Sequence, residues 1–318
     1  MFKKTIAALA VAGAFGTMAA GAVYAADVTL YGVVDLGLKY SHVDADQSGV
    51  DAVDKLEMKS GSQSGSRFGI KGAEDVGNGL KVGFQLENGF KADSGEFKTS
   101  GKLFDRQATV ALSSDFGTLT MGRVGGIGSG AGFDLVYGGS GSVLGLAKSD
   151  RYDNMITYQT PKFAGMQATV QYSFNESSTD KDREGSSAVN RYASAGLTGS
   201  FGALNTVLAY EFQNYQSFGK DARGEDGHIV YLGGNYDCGF AKTFVMAQYF
   251  KGLKAGNING LGMLDDIEGE QTGTTLEDEF DAFFDKGAKG FGLHLGTIVP
   301  ISNGDLTVGA YYVDGKGE

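Results

Sequence analysis

The side chains in this sequence that could carry out chemistry are charged groups that recur at every second position, rather than nucleophiles set beside a base. Histidine occurs only at His42, His228 and His294, and no serine motif that would supply a nucleophile accompanies them. The single cysteine, Cys238, cannot form an internal disulfide. The sequence has no Cys/His metal spacing and no phosphate-binding glycine loop. It therefore predicts neither an enzyme nor a protein with a metal ion or another cofactor.

Basic side chains lie on the polar side of short segments in which polar and apolar residues alternate. In RFGIKGAE, Arg67 and Lys71 alternate with Phe68 and Ile70. Applied to each segment in turn, alternation assigns polar-face positions to five basic residues: Lys39, Arg67, Lys71, Lys81 and Arg151.

Alternation does not assign the same face to three arginines near the ends of their segments. Arg151 shares its parity with Asp153 and Thr157, which predicts that it lies on the polar face. Arg106 and Arg123 share the parity of apolar neighbours. Each of these two needs a bulge or a strand end to bring its side chain to the polar side.

The segments that carry these charges have a period of two, which is the period of a β-strand. Residues 28–40, VTLYGVVDLGLKY, place mostly apolar side chains on one face and Thr29, Asp35 and Lys39 on the other. MQATVQYSFN, which begins at Met166, has one apolar and one fully polar face. Such alternation over about 10 residues, repeated along a chain, is typical of a barrel with lipid outside and water inside. Because a bilayer core offers no partner for an unpaired amide, a spanning sheet must close on itself.

Residues 1–25 have the composition of a cleavable signal peptide. Lys3 and Lys4 form a positive start, an alanine-rich apolar core follows, and Val23-Tyr24-Ala25 is a small-residue cleavage site. No later run of about 18 or more apolar residues occurs, so we expect no transmembrane helix in the mature chain. The signal predicts export through the Sec pathway and a mature domain of residues 26–318.

Tight turns and long polar connections alternate along the mature chain. The first two long connections are residues 41–66 and 92–104. The tight turns are short and rich in glycine, at about residues 75–79, 115–117, 163–165, 201–203, 239–240 and 303–305. Short turns at one end and long loops at the other are what an outer-membrane β-barrel predicts. A soluble β-sandwich, the alternative, would turn about every 8 to 12 residues without this alternation.

The composition agrees with an all-β chain and opposes nucleic-acid binding. Glycine occurs 52 times and proline only at Pro161 and Pro300, near predicted strand ends, where a lost ladder bond costs least. Lysine and arginine total 27 against 38 aspartate and glutamate residues, a formal net charge of −11. Nucleic-acid-binding proteins carry basic patches instead.

About 13 strands can be counted before the chain ends at Glu318. Single-chain bacterial barrels have even strand numbers, and the last predicted strand, LTVGAYYV, is followed by a charged tail. We therefore expect a chain that is truncated at its C-terminus and lacks about three further strands.

Several of these segments together resemble a known family. YGVVD, GSRFGIKGAEDVGNGLKVGFQLENGF, LFDRQATVALSSDFGTLTMGR and RYDNMITYQTP are similar to the general porins of Gram-negative outer membranes, in their proteobacterial and neisserial branch. The similarity is dense over residues 28–174 and weaker over residues 190–313. It implies an antiparallel up-and-down transmembrane β-barrel of about 16 strands, assembled as a homotrimer.

The resemblance also implies a constriction. In such porins the third long loop folds into the barrel, and here that loop is the Gly/Ser-rich stretch of residues 125–150. Basic wall groups then face acidic loop groups, and the transverse field orients polar solutes. Arg67, Arg123 and Arg151 match the wall arginines of the family.

The loop departs from the family pattern. A Pro-Glu-Phe-Gly-like element is frequent there, and the nearest counterpart in this sequence is Gly132-Phe133-Asp134-Leu135. Asp134 and, at the loop exit, Asp150 are therefore the acidic candidates. A constriction richer in arginine than in carboxylate would favour anions. Residues 264–285, in contrast, contain nine acidic and no basic residues, which could attract cations, bridge lipopolysaccharide through divalent ions or be a solvated loop. The ion preference stays open.

The expected function is that of a general diffusion porin in the outer membrane, a water-filled channel for ions and small hydrophilic solutes. Expected partners are the lipid bilayer, lipopolysaccharide, further copies of the chain and the solutes. A solute-specific channel or an adhesin-like barrel of the same fold is the alternative.

Overall fold

The computed structural model describes residues 27–43, 53–61, 64–128, 151–175, 184, 186, 189–215, 226–253, 287–302 and 304–317. Every regular element in these ranges is a β-strand. The chain divides into two units, one up to Asp115 and one from Phe116. Within the described ranges, no helix is both long and apolar enough to cross a membrane.

Three sequence predictions lie outside the described residues. They concern the signal peptide, the acidic run at 264–285, and the constriction loop beyond Gly128 with Asp134 and Asp150.

The first unit contains six strands in antiparallel pairs. They are β1 (Asp27–Val33), β2 (Leu36–Val43), β3 (Val53–Ser60), β4 (Arg67–Gly77), β5 (Leu80–Gly89) and β6 (Gln107–Ser114). β1, β4, β5 and β6 follow one another in a sheet, whereas β2 and β3 form a separate two-stranded sheet. Residues that pair across neighbouring strands share a face, so the register sets Tyr31, Gly69 and Glu87 side by side.

The first predicted strand is interrupted in the structure. Val34 and Asp35 separate β1 from β2, and the amide of Gly61 donates to the carbonyl oxygen of Asp35 at 2.9 Å. One predicted strand is therefore two.

β3 lies in the stretch 41–66, which the sequence predicted to be a loop, so that part of the prediction is wrong. Its sequence VDKLEMKS alternates Leu56 and Met58 with charged residues, and both apolar side chains are exposed on one face. Polar residues on both sides of this short run hide its period of two. The described residues thus form 15 strands.

The second unit contains nine strands, each antiparallel to the next in chain order. They are β7 (Gly117–Gly125), β8 (Arg151–Gln159), β9 (Met166–Ser173), β10 (Arg191–Phe201), β11 (Leu204–Asn214), β12 (Gly227–Asp237), β13 (Lys242–Leu253), β14 (Ala288–Ile301) and β15 (Gly304–Gly317). This up-and-down order is the predicted one.

The tight turns that the sequence predicts up to residue 240 lie between consecutive strands of the structure. Between β4 and β5, Gly77, Asn78 and Gly79 have φ values of 89°, 52° and 73°. This left-handed region is open to glycine and tolerated by asparagine, which suits a hairpin turn.

Large apolar side chains line the exposed face of the second unit. Leu208, Leu232 and Val245 are 51%, 60% and 56% exposed. Leu208 lies directly opposite Leu232 in the ladder, so the apolar surface continues from strand to strand. An apolar surface of this extent suits hydrocarbon rather than water.

The other face of the second unit is buried and chemically mixed, whereas alternation predicted a polar one. Around Ile127 it is apolar, with a cluster that includes Val207, Ala209, Ile229, Tyr231, Phe244 and Met246. Glu211 and His294 are buried on the same face, with exposures of 0% and 2%. The apolar residues are accommodated there because the first residues after β7 lie against them.

Candidate functional site

Two arginines flank one carboxylate on the polar face of the first unit. Nε of Arg106 lies 2.6 Å from Oε1 of Glu87, and Nε of Arg67 lies 3.9 Å from Oε2 of the same carboxylate. The side chains of Arg67, Glu87 and Arg106 are 26%, 10% and 20% exposed. We name these three residues the arginine–glutamate cluster. Because two guanidinium groups share one carboxylate, the cluster has an excess of positive charge.

Tyr31 connects the cluster to two further polar side chains. Its hydroxyl donates to Oε2 of Glu87 at 2.9 Å and accepts from Nε2 of Gln85 at 2.7 Å. The ammonium group of Lys71 lies 5.5 Å from the centroid of the tyrosine ring, within the range of a cation–π interaction. The ring fits because Gly69 has no side chain; a Cβ there would lie 2.5 Å from Cζ and Oη of Tyr31. Lys71 adds a further positive charge beside the cluster.

The segment before β4 holds the guanidinium group of Arg67. Nη1 donates to Oγ of Ser64 at 3.2 Å and to the carbonyl oxygen of Gly65 at 3.1 Å. The amide of Ser64 donates to Oδ2 of Asp35 at 2.8 Å, and Oγ of Ser66 donates to the carbonyl oxygen of Asp35 at 3.0 Å. The break between β1 and β2 therefore anchors the segment that orients Arg67.

Arg106 reaches the polar face although its parity predicts the apolar one. It lies just before β6, outside the regular alternation, and its amide donates to the carbonyl oxygen of Glu87 at 3.2 Å. Glycines make room for its side chain, since a Cβ at Gly65 or Gly89 would lie 3.3 Å or 3.2 Å from Arg106 atoms. The strand end that the sequence required is present.

Lys39 and Lys81 lie apart from the cluster. Lys39 lies on β2, opposite Glu57 of β3. Lys81 pairs with Asp75 and Ser113 beside the tight turn of β4 and β5. It is six residues from Glu87 along β5, or about 20 Å at the usual strand rise.

A bulge lies between β7 and β8 and changes the predicted positions of two arginines. Gly122 pairs with Met155 and Val124 with Tyr152, so two residues of β8 oppose the single residue Arg123. Asn154, the extra residue, has a φ of 53°. Strict alternation therefore fails across residue 154.

At this bulge Arg123 forms an ion pair. Its Nη1 lies 2.6 Å from Oδ1 of Asp153, with side-chain exposures of 15% and 10%, and also donates to the carbonyl oxygen of Arg151 at 3.2 Å. The extra residue of this bulge lies in β8 and not in β7, so Arg123 still alternates with Gly122 and Val124. Its charge is partnered, and its place in a constriction stays a prediction.

The parity inference for Arg151 is wrong for the same reason. Tyr152 is buried together with Met155 and Tyr192, so Tyr152 and not Arg151 shares the face of Met155 and Thr157. A role for Arg151 in a constriction then stays a prediction from the family resemblance alone.

A second carboxyl group, that of Glu211 on β11, is fully buried in the second unit. Its Oε1 accepts from the amide of Gly128 at 2.5 Å and from the hydroxyl of Tyr192 at 2.9 Å, and its Oε2 accepts from the hydroxyl of Tyr231 at 3.0 Å. The hydroxyl of Tyr192 accepts in turn from the amide of Ile127 at 2.8 Å. We name Glu211, Tyr192 and Tyr231 the glutamate clasp.

Two glycines allow the chain to pack closely against the glutamate clasp. A Cβ on Gly128 would lie 2.3 Å from Oη of Tyr231 and 2.9 Å from Oε1 of Glu211. A Cβ on Gly196 would lie 2.3 Å from Cδ1 of Ile127, so the isoleucine side chain occupies the space that this glycine leaves.

Sequence reasoning singled out neither Glu87 nor Glu211 as site residues. For Glu87, the sequence offered two signals: its parity places it on the polar face, and Arg67 and Arg106 lie before and after it in the chain. Glu211 stands in LAYEFQN as an ordinary polar-face residue, and its contact with Gly128 spans 83 positions. Among the described residues, no group of three or more His, Cys, Asp or Glu side chains is placed to hold a metal ion.

Comparison with known proteins gives one consistent answer. A family description of Gram-negative porins matches residues 7–318. An outer membrane porin protein of Bordetella pertussis is 39% identical over 267 residues, which are 74% of this chain and 66% of that protein. The major outer membrane protein P.IB of Neisseria meningitidis serogroup B is 30% identical over 236 residues, 73% of this chain and 68% of that protein. Among solved structures, the anion-selective porin from Comamonas acidovorans has a TM-score of 0.61 at 25% identity, covering 92% of this chain and 80% of that one.

The chain therefore belongs to the Gram-negative porin family. The resemblance found in the sequence is confirmed, and so are the all-β, antiparallel up-and-down fold and the outer-membrane location. The chain spans about two thirds of the length of the Bordetella relative that it matches.

Proposed function

We propose that the protein forms a water-filled channel through which ions and small hydrophilic solutes diffuse passively across the outer membrane. The arginine–glutamate cluster carries this proposal, because it sets charged, partly exposed side chains on one face of a sheet whose other face is apolar. Such a sheet suits lipid on one side and water on the other. A wet, charged wall selects solutes by size and charge and needs no covalent step.

The same cluster favours anions. Arg67, Arg106 and Lys71 supply three cationic groups near one carboxylate, that of Glu87. Arg123, in contrast, is paired with Asp153 and contributes little net field. Fixed charges on a narrow, poorly screened wall raise the local concentration of counter-ions. The solved relative that is described as anion-selective supports this direction.

The proposal includes a constriction formed by residues 125–150, with Asp134 and Asp150 as acidic groups. Its support is the position of Ile127 and Gly128, which lie against β10, β11 and β12, three or more strands away from β7. It also includes assembly as a homotrimer in contact with lipid and lipopolysaccharide, for which the exposed apolar face provides a surface.

Planar-bilayer recordings of the full-length protein test the proposal. We expect stepwise conductance and, in a potassium chloride gradient, a reversal potential on the anion side. Arg67→Ala should move the reversal potential toward cations. Because Arg67 and Arg106 share one carboxylate, removing Arg67 removes positive charge that Glu87 does not neutralise. The matched control is Arg123→Ala, which removes an arginine of the second unit that is already neutralised by Asp153.

Folded protein without conductance would defeat the channel itself. An equal shift for Arg67→Ala and Arg123→Ala would remove the arginine–glutamate cluster from the selectivity mechanism. Chemical cross-linking in native membranes reports the trimer, and a monomer as the largest product would contradict that part.

A further inference from the structure

The chain leaves β7 across the buried face of the second unit. Ile127 follows Gly125, the last residue of β7, by two positions, yet its side chain fills the space above Gly196 of β10. The amide of Gly128 reaches Glu211 of β11 at 2.5 Å. Two residues are thus fixed against strands that are not neighbours of β7.

The fixing groups are fully buried and chemically matched. Glu211, Tyr192 and Tyr231 are 0%, 0% and 1% exposed. Two hydroxyls and one amide donate to the two oxygens of one carboxyl group. A carboxyl group supplies two acceptor oxygens, which no apolar side chain and no single hydroxyl can do. Burying a carboxyl group this deeply costs free energy unless hydrogen-bond donors such as these satisfy its oxygens.

We propose that Glu211 is a positioning residue of the channel. Through the glutamate clasp it fixes Ile127 and Gly128 against β10, β11 and β12 on the buried face of the second unit. This inference rests on the proposed channel function. Its consequence is that the clasp sets the free width of the proposed channel at Ile127 and Gly128.

Hydrogen exchange tests the clasp directly. In the folded full-length protein we expect slow exchange of the Ile127 and Gly128 amides. Tyr192→Phe removes the acceptor of the Ile127 amide, and Glu211→Ala removes that of Gly128. Each should raise exchange of its own amide by about tenfold or more, the usual effect of losing one such hydrogen bond. Exchange unchanged in both variants would overturn the proposal.

Channel width is the second measurement. Glu211→Ala should give a larger single-channel conductance and admit larger neutral sugars in a liposome-swelling assay. Its reversal potential should stay close to that of the unaltered protein, since Glu211 is buried. Glu211→Gln, which keeps one acceptor oxygen, should restore most of the original size limit. The control is Asn205→Ala, on the same face of β11, where it loses only its contacts with Ser200 and Asn235.

A second variant covers the case in which Glu211→Ala does not fold. Gly128→Ala leaves the clasp residues intact but sets a Cβ 2.3 Å from the hydroxyl of Tyr231. It should also raise the size limit. An original size limit in Gly128→Ala, without faster exchange of the Ile127 and Gly128 amides, would overturn the inference. If the unaltered protein conducts, such a result counts against the clasp alone, whereas a non-conducting unaltered protein counts against the proposed function.

Discussion

Glu87 in the first unit and Glu211 in the second both lie on the face opposite the exposed apolar residues. Glu87 is 8% exposed and shares its oxygens between the hydroxyl of Tyr31 and two guanidinium groups whose side chains are 26% and 20% exposed. Glu211 is fully buried and holds two hydroxyls and a backbone amide. In the proposed channel, the first carboxyl group modulates the charge that a solute meets. The second acts on the protein itself.

The difference lies in the partners rather than in the residue type. The guanidinium groups of Arg67 and Arg106 keep part of their surface in water, so water can satisfy them in part when the carboxylate is removed. Rigid tyrosine hydroxyls and an amide in a sealed site leave a large desolvation cost if their acceptor is removed. A change at Glu87 should therefore affect ion selectivity more than stability, and a change at Glu211 should affect stability more than ion selectivity.

The largest expected effect separates the two carboxyl groups by stability. Glu211→Ala leaves three buried donors without this acceptor and should lower the free energy of unfolding by roughly 3 kcal/mol or more. Glu87→Ala should cost less, about 1.5 kcal/mol, because its arginine partners remain partly hydrated. Denaturant unfolding of the detergent-solubilised protein measures both. Equal losses would erase the distinction between the two sites.

Gly196→Val should come next in size. Its side chain would occupy the place of the Ile127 methyl group, which lies 2.3 Å from the position of a Cβ. Overpacking of this kind costs about 1 to 3 kcal/mol. The same unfolding assay applies, with Leu197→Val on the exposed face of β10 as the control. A stable Gly196→Val protein with a protected Ile127 amide would show that the isoleucine has another place to go.

Tyrosine-to-phenylalanine changes sharpen the comparison further. Tyr31→Phe removes one hydrogen bond to Glu87, at a cost of about 1 kcal/mol. Tyr231→Phe removes the corresponding bond to Glu211 inside a sealed site and should cost more. Paired unfolding curves decide the order, and a larger loss for Tyr31→Phe would reverse our assignment of the more rigid site.

The smallest expected effect is on ion preference. Glu87→Gln removes the carboxylate that partly neutralises Arg67 and Arg106, and should raise the anion-to-cation permeability ratio by about threefold, or about 0.6 kcal/mol for a screened charge. Asp75→Asn, at the far end of β4 on the same face, is the control for loss of one negative charge. Reversal potentials that shift equally in both variants would indicate a general charge effect.

Much of the fold could be predicted from the sequence, because a membrane strand that separates lipid from water must alternate. The tight turns and the polar-face positions of Arg67 and Lys71 followed from this period. β3 escaped prediction because polar, glycine-containing stretches surround its short alternating run. Alternation is a local signal, and it is lost where a segment is brief.

The site was less predictable, because its contacts break or exceed the local period. Arg106 turns onto Glu87 from just outside β6, and Asn154 reverses the faces of β8. The glutamate clasp joins Gly128 to Glu211 and Tyr231 through three-dimensional proximity that no short segment encodes. The resemblance to porins pointed to residues 125–150, the segment that contains Gly128, but not to its contact with Glu211.

The additional residue at Asn154 divides β8 into two halves whose outward and inward positions are out of phase. A deletion of Asn154 would swing Arg151, Tyr152 and Asp153 to the opposite sides of the wall while the remainder of the strand kept its orientation. Any charge map of the proposed channel that is drawn by counting odd and even positions must therefore restart its count at this residue.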